Sequence, residues 1–183
     1  MARLATVATI LSGVNPRQPK RQPRLFVQIR NLTNPNEIPM AGERPTAARA
    51  VAIQAGDVLL AARGERNAVL LASQSLYGAF AGLDLYLIRP DARTLDPAYL
   101  AAFLARPFVG AHLRKAATGA SLPRIPKSAI DDLDIPVPAL TRQGFVAELA
   151  ECIDRRMALM SLLTAATSAL AEQSLERAFE RLT

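Results

Sequence analysis

Residues 119–138 read "GASLPRIPKSAIDDLDIPVP", and this stretch separates a series of short segments from the longest helical pattern in the chain. It holds four prolines, two basic residues and three aspartates. Proline at positions 136 and 138 excludes a helix and a centrally paired strand there, because proline lacks a backbone N–H and disfavours helical geometry in the residue before it. The stretch therefore predicts a stiff joint with an extended edge piece. Its first half, "GASLPRIPK", carries no acid and is interpreted either as a phosphate contact or as a plain turn.

One long helix is predicted after the joint, because no proline follows position 138 and no glycine follows Gly144. Apolar residues recur there at spacings of three and four, which is typical of one helix face. About 40 helical residues span about 60 Å, too long to bury this face on so small a body. The face therefore predicts a partner helix from a second copy or another protein; a break near Gln173 and Ser174 is the alternative. The stripe comprises Val146, Leu149, Ile153, Met157, Met160, Leu163, Thr167 and Leu170.

The residues before the joint predict a small β-rich body with short helices. Asp96 followed by Pro97 is a typical helix start, and a second helix is predicted over 107–117. The interval from Asn31 to Thr46 contains three prolines and predicts loops. Five short runs bounded by Gly, Pro, Asn or Asp are predicted strands: 24–30, 50–54, 57–63, 68–73 and 83–89. The predicted fold class is therefore α+β, with one long helix at the C-terminal end.

The charge of the chain is unevenly distributed. Residues 1–36 carry six basic side chains and no acid, and residues 97–130 carry five basic side chains and no acid. Residues 37–96 are nearly neutral, whereas residues 131–183 hold five basic and nine acidic side chains, within a net charge of +6 for the whole chain. A basic body before an acidic tail favours a polyanionic partner, although small domains often carry a few surplus surface charges.

The composition offers little for catalysis. Cys152 is the single cysteine, which excludes an internal disulfide and a cysteine-based metal cluster and predicts a cytoplasmic protein. His112 is the single histidine, and its place in a predicted helix favours packing over catalysis. Neither a phosphate-binding G-x-x-x-x-G-K-[ST] loop nor a G-x-G-x-x-G turn occurs, and no window is long and apolar enough to span a membrane. We therefore predict no catalytic residue, metal site or cofactor.

Duplex DNA is the polyanion that the remaining side chains favour. Tryptophan is absent and aromatic residues make up only 5%, which disfavours a platform for stacking unpaired bases. Arginine and lysine bind the phosphates of a duplex, while arginine, asparagine and glutamine read base edges in its grooves. Such residues occur at predicted strand ends, in "QIRN" (28–31) and "RGERN" (63–67).

Three segments in order resemble the target-recognition domain and following spacer helix of the specificity subunits of type I restriction-modification systems. They are "GDVLLAARG" (56–64), "LDPAYLAAFL" (95–104) and the 33 residues from 117 to 149. The opening "LATVATILSGVNP" (4–16) is similar to the entry segment of that family. The family signature before the helix falls on Leu133, Ile135, Pro136, Pro138, Leu140 and Gln143.

The resemblance implies a DNA-binding target-recognition domain over residues 1–138 and a spacer and dimerisation helix over residues 139–183. Family members usually carry two such domains and two antiparallel helices, whereas this chain holds one of each. The implied protein is a non-catalytic half-length subunit whose helix forms an antiparallel coiled coil with a partner, so that a homodimer reads a split inverted repeat in double-stranded DNA. Methyltransferase (modification) subunits, and through them a restriction subunit, are the further implied partners.

Site residues follow from this interpretation as hypotheses. Phosphate contacts are predicted for Arg17, Lys20, Arg21, Arg24, Lys115, Ser121, Arg124 and Lys127. Base reading is predicted for Arg30, Asn31, Arg63, Arg66 and Asn67. The dimer helix is predicted to use Leu149, Ile153, Met157, Met160, Leu163 and Leu170. The main alternative is a protein-interaction subunit of a defence complex with weak or no DNA binding; a further alternative is the recognition domain of an enzyme whose catalytic chain is separate.

Overall fold

The computed structural model of the chain describes residues 1–18, 23–34, 37–46, 50–64, 67–119 and 121–180. The chain divides into two units, Met1–Gly144 and Phe145–Thr183. Its strands are β1 (Ala2–Arg3), β2 (Ala8–Ser12), β3 (Pro23–Val27), β4 (Met40–Glu43), β5 (Val58–Ala61), β6 (Val69–Leu71), β7 (Phe80–Ala81), β8 (Leu85–Pro90) and β9 (Asp134–Ile135). Its helices are α1 (Leu4–Val7), α2 (Ile29–Thr33), α3 (Pro97–Leu104), α4 (Pro107–Lys115), α5 (Lys127–Asp131) and α6 (Leu140–Glu180). The predicted α+β fold is confirmed.

The main sheet has the strand order β2-β8-β5-β6 and is antiparallel throughout. All four residues of β5 are buried, which explains why its sequence "VLLA" is continuously apolar instead of alternating. Leu59 of β5 lies opposite Leu87 of β8, and both side chains belong to one hydrophobic core cluster. A second sheet has three strands in the order β4-β3-β7. Strands β1 and β9 pair in a third sheet.

Four of the five predicted strand runs contain strands, whereas the run 50–54 contributes an isolated bridge between Ala52 and Phe80. The prediction of loops from Asn31 to Thr46 is wrong in part, because α2 ends and β4 lies within this interval. The run 24–30 is also shorter as a strand than predicted. Gln28 and Asn31 form a capping box, so the backbone turns into α2 directly after Val27.

The Gly56–Asp57 turn is held by a buried ion pair. Gly56 has a φ of +88°, which favours glycine. The carboxylate of Asp57 is 1% exposed and accepts two hydrogen bonds of 2.7 Å from Arg89 at the far end of β8. It also accepts one from the backbone N–H of Gln54 over 2.7 Å. The turn signal in the sequence is thus reinforced by a long-range contact that the local pattern does not contain.

Gly13 permits a close backbone approach after β2. A Cβ atom at this position would lie 1.9 Å from the carbonyl oxygen of Gly82, so no other residue fits without moving one of the two segments. The approach brings Val14 into a parallel bridge with Gly82. The family-like entry segment therefore uses its glycine for close packing against the segment between β7 and β8.

The predicted stiff joint is anchored by two side chains of the first unit. The hydroxyl of Tyr99, in α3, donates a hydrogen bond to the carbonyl oxygen of Pro136 over 2.9 Å. The amide Nε2 of Gln143 donates to the carbonyl oxygens of Pro138, over 2.7 Å, and Thr94, over 2.9 Å. Gln143 is fully buried. Both proline carbonyls of the signature are thereby satisfied, which is what a buried extended segment requires.

Helix α6 runs without interruption from Leu140 to Glu180, so the predicted long helix is confirmed and the alternative of a break near Gln173 and Ser174 is wrong. Every side chain from 151 to 180 is exposed. The predicted dimer residues are all exposed: Leu149, Ile153, Met157, Met160, Leu163 and Leu170. No helix in the described part of the chain has the length and apolar character needed to cross a membrane.

Candidate nucleic-acid interface

Two predicted site residues meet at one carboxylate. The Oδ1 atom of Asp84 lies 2.9 Å from Nε of Arg63 and 3.1 Å from Nη1 of Arg124. Arg63 follows β5, Asp84 precedes β8, and Arg124 belongs to the joint, so three separate segments converge here. The structure thus brings a predicted base-reading residue and a predicted phosphate contact together, with an acidic residue that the sequence analysis did not select.

Arg124 has the most constrained guanidinium of this cluster. Its Cζ atom lies 5.3 Å from the centre of the Tyr86 ring, a distance at which a cation is attracted to the aromatic face. Its Nη2 atom donates to the carbonyl oxygen of Leu83 over 3.0 Å. The backbone of Arg124 also exchanges hydrogen bonds with Thr118, over 2.8 and 3.0 Å. These contacts hold the guanidinium of Arg124 against one end of the main sheet.

A cleft of about 450 Å³ begins at the same carboxylate. Arg30 lies on it and pairs with Glu37 over 3.2 Å, while about half of its side chain stays exposed. The remaining lining residues are Asn15, Pro16, Gln28, Ile29, Met40, Gly82 and Leu83. Together with Asp84, these side chains give the cleft hydrogen-bond donors, acceptors and apolar surface, the combination that reads base edges.

The two predicted asparagines serve the fold. Asn31 is buried; its Oδ1 accepts from the backbone N–H of Gln28 over 2.8 Å, and its Nδ2 donates to the carbonyl oxygen of Glu37 over 2.9 Å. Asn67 is half-buried and donates from Nδ2 to the carbonyl oxygen of Leu104. Neither amide faces outward in this conformation, and we assign both to holding their loops.

The other residues predicted to contact phosphates differ in exposure and in ion pairing within the chain. Arg17, Arg24, Lys115 and Ser121 are exposed. Lys127 donates two 2.8 Å hydrogen bonds to the carboxylate of Asp131 one helical turn later, so part of its charge is neutralised within α5. Lys20, Arg21 and Arg66 lie outside the described residues.

A second cavity, of about 570 Å³, lies between α4 and β9. Lys115 and His112 line it together with Phe103, Phe108, Asp132 and Asp134. His112 is exposed, so the prediction that it is a partly buried packing residue is wrong. The described residues contain no group of three or more histidine, cysteine or acidic side chains placed to hold a metal ion.

Asp84 was missed because nothing local marks it. In "LDLYLIR" it is one polar position of an alternating strand pattern, which any solvated strand shows. The sequence distinguished Asp84 only by the scarcity of acidic residues around it, because Asp84 and Asp91 are the two acidic residues between positions 66 and 95.

Comparison with known proteins identifies the fold. No family model matches the chain, and no curated protein matches its sequence. A solved structure described as showing complex assembly and conformational transition of the type I R-M system superimposes with a TM-score of 0.67, at 22% identity, over 90% of this chain and 44% of that chain. The HsdS subunit from Thermoanaerobacter tengcongensis gives a TM-score of 0.64 with the same identity and coverage.

The type I restriction-modification system S subunit from M. genitalium gives a TM-score of 0.54 at 14% identity, over 86% of this chain and 39% of that one. The chain thus spans less than half the length of each of these three proteins. The ordered motifs, the long helix after the signature and these superpositions agree. By fold, the chain corresponds to one half of the specificity (S) subunit of type I restriction-modification systems.

Proposed function

We propose that the protein recognises a specific sequence in double-stranded DNA, as a half-length specificity subunit without catalytic activity of its own. The observation that carries this proposal is the correspondence in fold, which covers 90% of this chain but 44% of the longer subunit. In the proposed assembly, a second copy of the chain supplies the second recognition domain for the other half-site.

The charge distribution supports DNA as the ligand. Residues 1–36 and 97–130 contain no acid, and their exposed basic side chains include Arg17, Arg24 and Lys115. Contacts from such side chains to phosphates supply affinity without sequence preference, because every duplex presents the same backbone. Arg30, Arg63 and Arg124 beside the Asp84 cleft are the candidates for sequence preference.

The exposed apolar face of α6 supports dimerisation. Leu149, Ile153, Met157, Met160 and Leu163 are each about half exposed or more within the single chain, and Leu170 continues the row. A helix face of this kind gains stability when it packs against a second helix. In the proposed dimer the two helices form an antiparallel coiled coil, and two-fold symmetry directs the two recognition domains to the halves of an inverted repeat.

The same helix is the proposed docking site for methyltransferase subunits, and through them for a restriction subunit. This part of the proposal rests on the resemblance to specificity subunits, which belong to complexes that hold catalysis in separate chains.

The test is a selection from a pool of random duplexes with the purified chain, combined with its mass in solution by sedimentation equilibrium. We expect a dimer that enriches two inverted half-sites at a fixed spacing. A combined Arg17→Ala, Arg24→Ala and Lys115→Ala variant serves as the control, and it should bind every duplex more weakly without enriching a different site. A monomer that enriches no sequence would contradict the proposal.

A protein-interaction subunit is the second candidate, and one observation favours it. Asp84 neutralises part of the charge of Arg63 and Arg124, which lowers the affinity of this end of the body for any polyanion. A dimer that binds no DNA, alone or with methyltransferase subunits, would support this second candidate.

A further inference from the structure

Asp84 connects two arginines that the rest of the fold already brings close together. The backbone N–H of Ala62 donates to the carbonyl oxygen of Asp84 over 2.8 Å, and the backbone N–H of Ile125 donates to that of Ala62 over 2.9 Å. Tyr86 adds a buried hydrogen bond from its hydroxyl to the carbonyl oxygen of Ile125 over 2.7 Å. These contacts fix the three segments without using the carboxylate of Asp84.

The carboxylate itself adds little to stability. Its side chain is 44% exposed, and an ion pair that faces water contributes at most about 1 kcal/mol. The carboxylate is, however, the charged group nearest to both guanidinium groups. The Nε atom of Arg63 is buried 2.9 Å from the carboxylate, but among the described residues it has no hydrogen-bond partner of suitable geometry, so charge alone attracts it. Arg124 donates a hydrogen bond to the carboxylate over 3.1 Å and is held at the same time by the Tyr86 ring and the carbonyl oxygen of Leu83.

The carboxylate also changes the charge of this end of the body. Arg63 and Arg124 carry two positive charges, and Asp84 reduces the cluster to a net single charge. A strongly basic cluster binds any phosphate, which raises affinity for all sequences equally. A cluster of reduced net charge in which Arg124 has a fixed direction instead favours hydrogen bonds of defined geometry, since an arginine fork discriminates guanine by its orientation.

We propose that Asp84 is a specificity-determining positioning residue: it orients Arg124, attracts Arg63 to the same place beside the cleft, and suppresses the binding of both to phosphates, so that they respond to base sequence. This inference rests on the proposed function in DNA recognition. Asp84 itself acts through the two arginines.

The test compares binding of two duplexes, the site enriched by the wild-type chain and a scrambled site, across a series of salt concentrations. Three variants of the full chain are measured. Asp84→Asn removes the charge with nearly the same shape, and Asp84→Glu keeps the charge but displaces it by one methylene. Asp91→Asn is the matched control, because Asp91 also forms an ion pair with an arginine, Arg93, over 3.0 Å. Asp91 follows the opposite end of β8, roughly 20 Å from Asp84 along the strand.

For Asp84→Asn we expect tighter binding to the scrambled duplex. We also expect the preference for the enriched site to fall at least about fivefold, which is the lower end of the discrimination that one arginine–base contact provides. The dependence of log K on log salt should steepen by about 0.9 for one additional phosphate contact. Asp84→Glu should lose preference without that change in slope. Asp91→Asn should keep the wild-type preference.

The outcomes distinguish failure of the proposed function from failure of the inference about Asp84 alone. A wild-type chain without sequence preference contradicts the proposed function, and the inference about Asp84 is then overturned with it. A wild-type chain with preference, together with an Asp84→Asn variant that keeps both the preference and the salt slope, overturns the inference alone. Chemical unfolding of each variant is measured in parallel, and a preference lost only in proportion to the folded fraction would also overturn it, because it would mark Asp84 as merely structural.

Discussion

The side-chain oxygen of Gln143 accepts a hydrogen bond from the backbone N–H of Asp96 over 2.8 Å, which connects the first turn of α6 to the N-terminal cap of α3. Asp96 in turn accepts from the backbone N–H of Tyr99 over 2.8 Å. With the two bonds from its Nε2 atom, the Gln143 amide has three partners in a fully buried position. The glutamine of the signature is therefore a structural connector.

Gln143→Ala should lower the free energy of unfolding by about 3 kcal/mol, because it leaves one N–H and two carbonyl groups without their partner. Urea unfolding followed by circular dichroism measures the change. Gln173→Ala is the matched control, since Gln173 is exposed on the same helix and its loss should change stability by less than about 0.5 kcal/mol. Equal effects of the two substitutions would contradict the connector role.

Asp57→Ala should also destabilise the protein by about 3 kcal/mol, because it removes a buried partner of Arg89 and leaves the guanidinium unpaired. In the wild type, the hydrogen bonds to Asp57 raise the pKa of Arg89 above its ordinary value. In the variant this support is lost, but a guanidinium group is not deprotonated in proteins, so the arginine stays charged and does not escape the penalty by losing its proton. The comparison is Asp91→Ala, whose ion pair with Arg93 is exposed and should contribute little. If both aspartates proved equally dispensable, the buried pair would have no special role.

Tyr99 should make the protein sensitive to alkaline pH. Burial raises the pKa of its hydroxyl, so the folded state keeps a proton that the unfolded state has lost above pH ~10. Stability from this residue is therefore present below pH ~10 and is lost as pH rises through the folded pKa. Unfolding midpoints between pH 7 and 11 measure this loss.

Tyr99→Phe should be less stable than the wild type at pH 7 by about 1 kcal/mol, the contribution of a typical hydrogen bond, and should show a smaller alkaline decrease. Tyr77→Phe alters an exposed tyrosine and should keep the full wild-type decrease. The same pH profile in both variants would show that Tyr99 is not the group responsible.

The proposed dimer helix is tested by two adjacent leucines. Leu163 lies in the apolar stripe and Leu162 lies beside it, and both are 67% exposed in the single chain. Leu163→Glu should shift the chain from dimer to monomer in sedimentation equilibrium, because a charge inside a helix interface is desolvated. Leu162→Glu should remain dimeric. Dissociation by both or by neither substitution would argue against the predicted face.

Lys115 tests the phosphate contacts. Lys115→Ala should weaken binding to all duplexes to a similar degree and make the salt dependence shallower by about 0.9, because one released counterion is lost. Arg155→Ala removes the same charge from α6, where Arg155 pairs with Glu151 over 2.7 Å, and should leave the slope unchanged. A Lys115 variant with an altered sequence preference would instead place this lysine among the base readers.

Much of the fold was predictable because its signals are local. Asp96 and Pro97 mark the start of α3, the run 57–63 contains β5 in its apolar centre, and the absence of proline beyond position 138 allows α6. Short elements were predicted less well. Strand β4 has four residues in a segment with proline on both sides, and its formation depends on pairing with β3.

The sequence predicted which types of residue the candidate site contains but not how they are arranged in space. Arg63 and Arg124 were selected separately, whereas their common partner Asp84 lies 40 positions before Arg124. Asn31 and Asn67 were selected for amides that the fold uses internally. A side chain reads DNA only if folding leaves it free and directed outward, and this depends on contacts between distant segments.

The sequence by itself determined the uneven charge, the stiff joint and the long amphipathic helix, because charge, proline geometry and helical period are properties of neighbouring residues. Only the tertiary structure decided which polar groups remain available. It buried Gln143 and Asp57 as connectors and placed Asp84 between two arginines. The physical reason is that burial and pairing are set by which distant segments meet, and the free energy of a polar group depends on the partners it finds there.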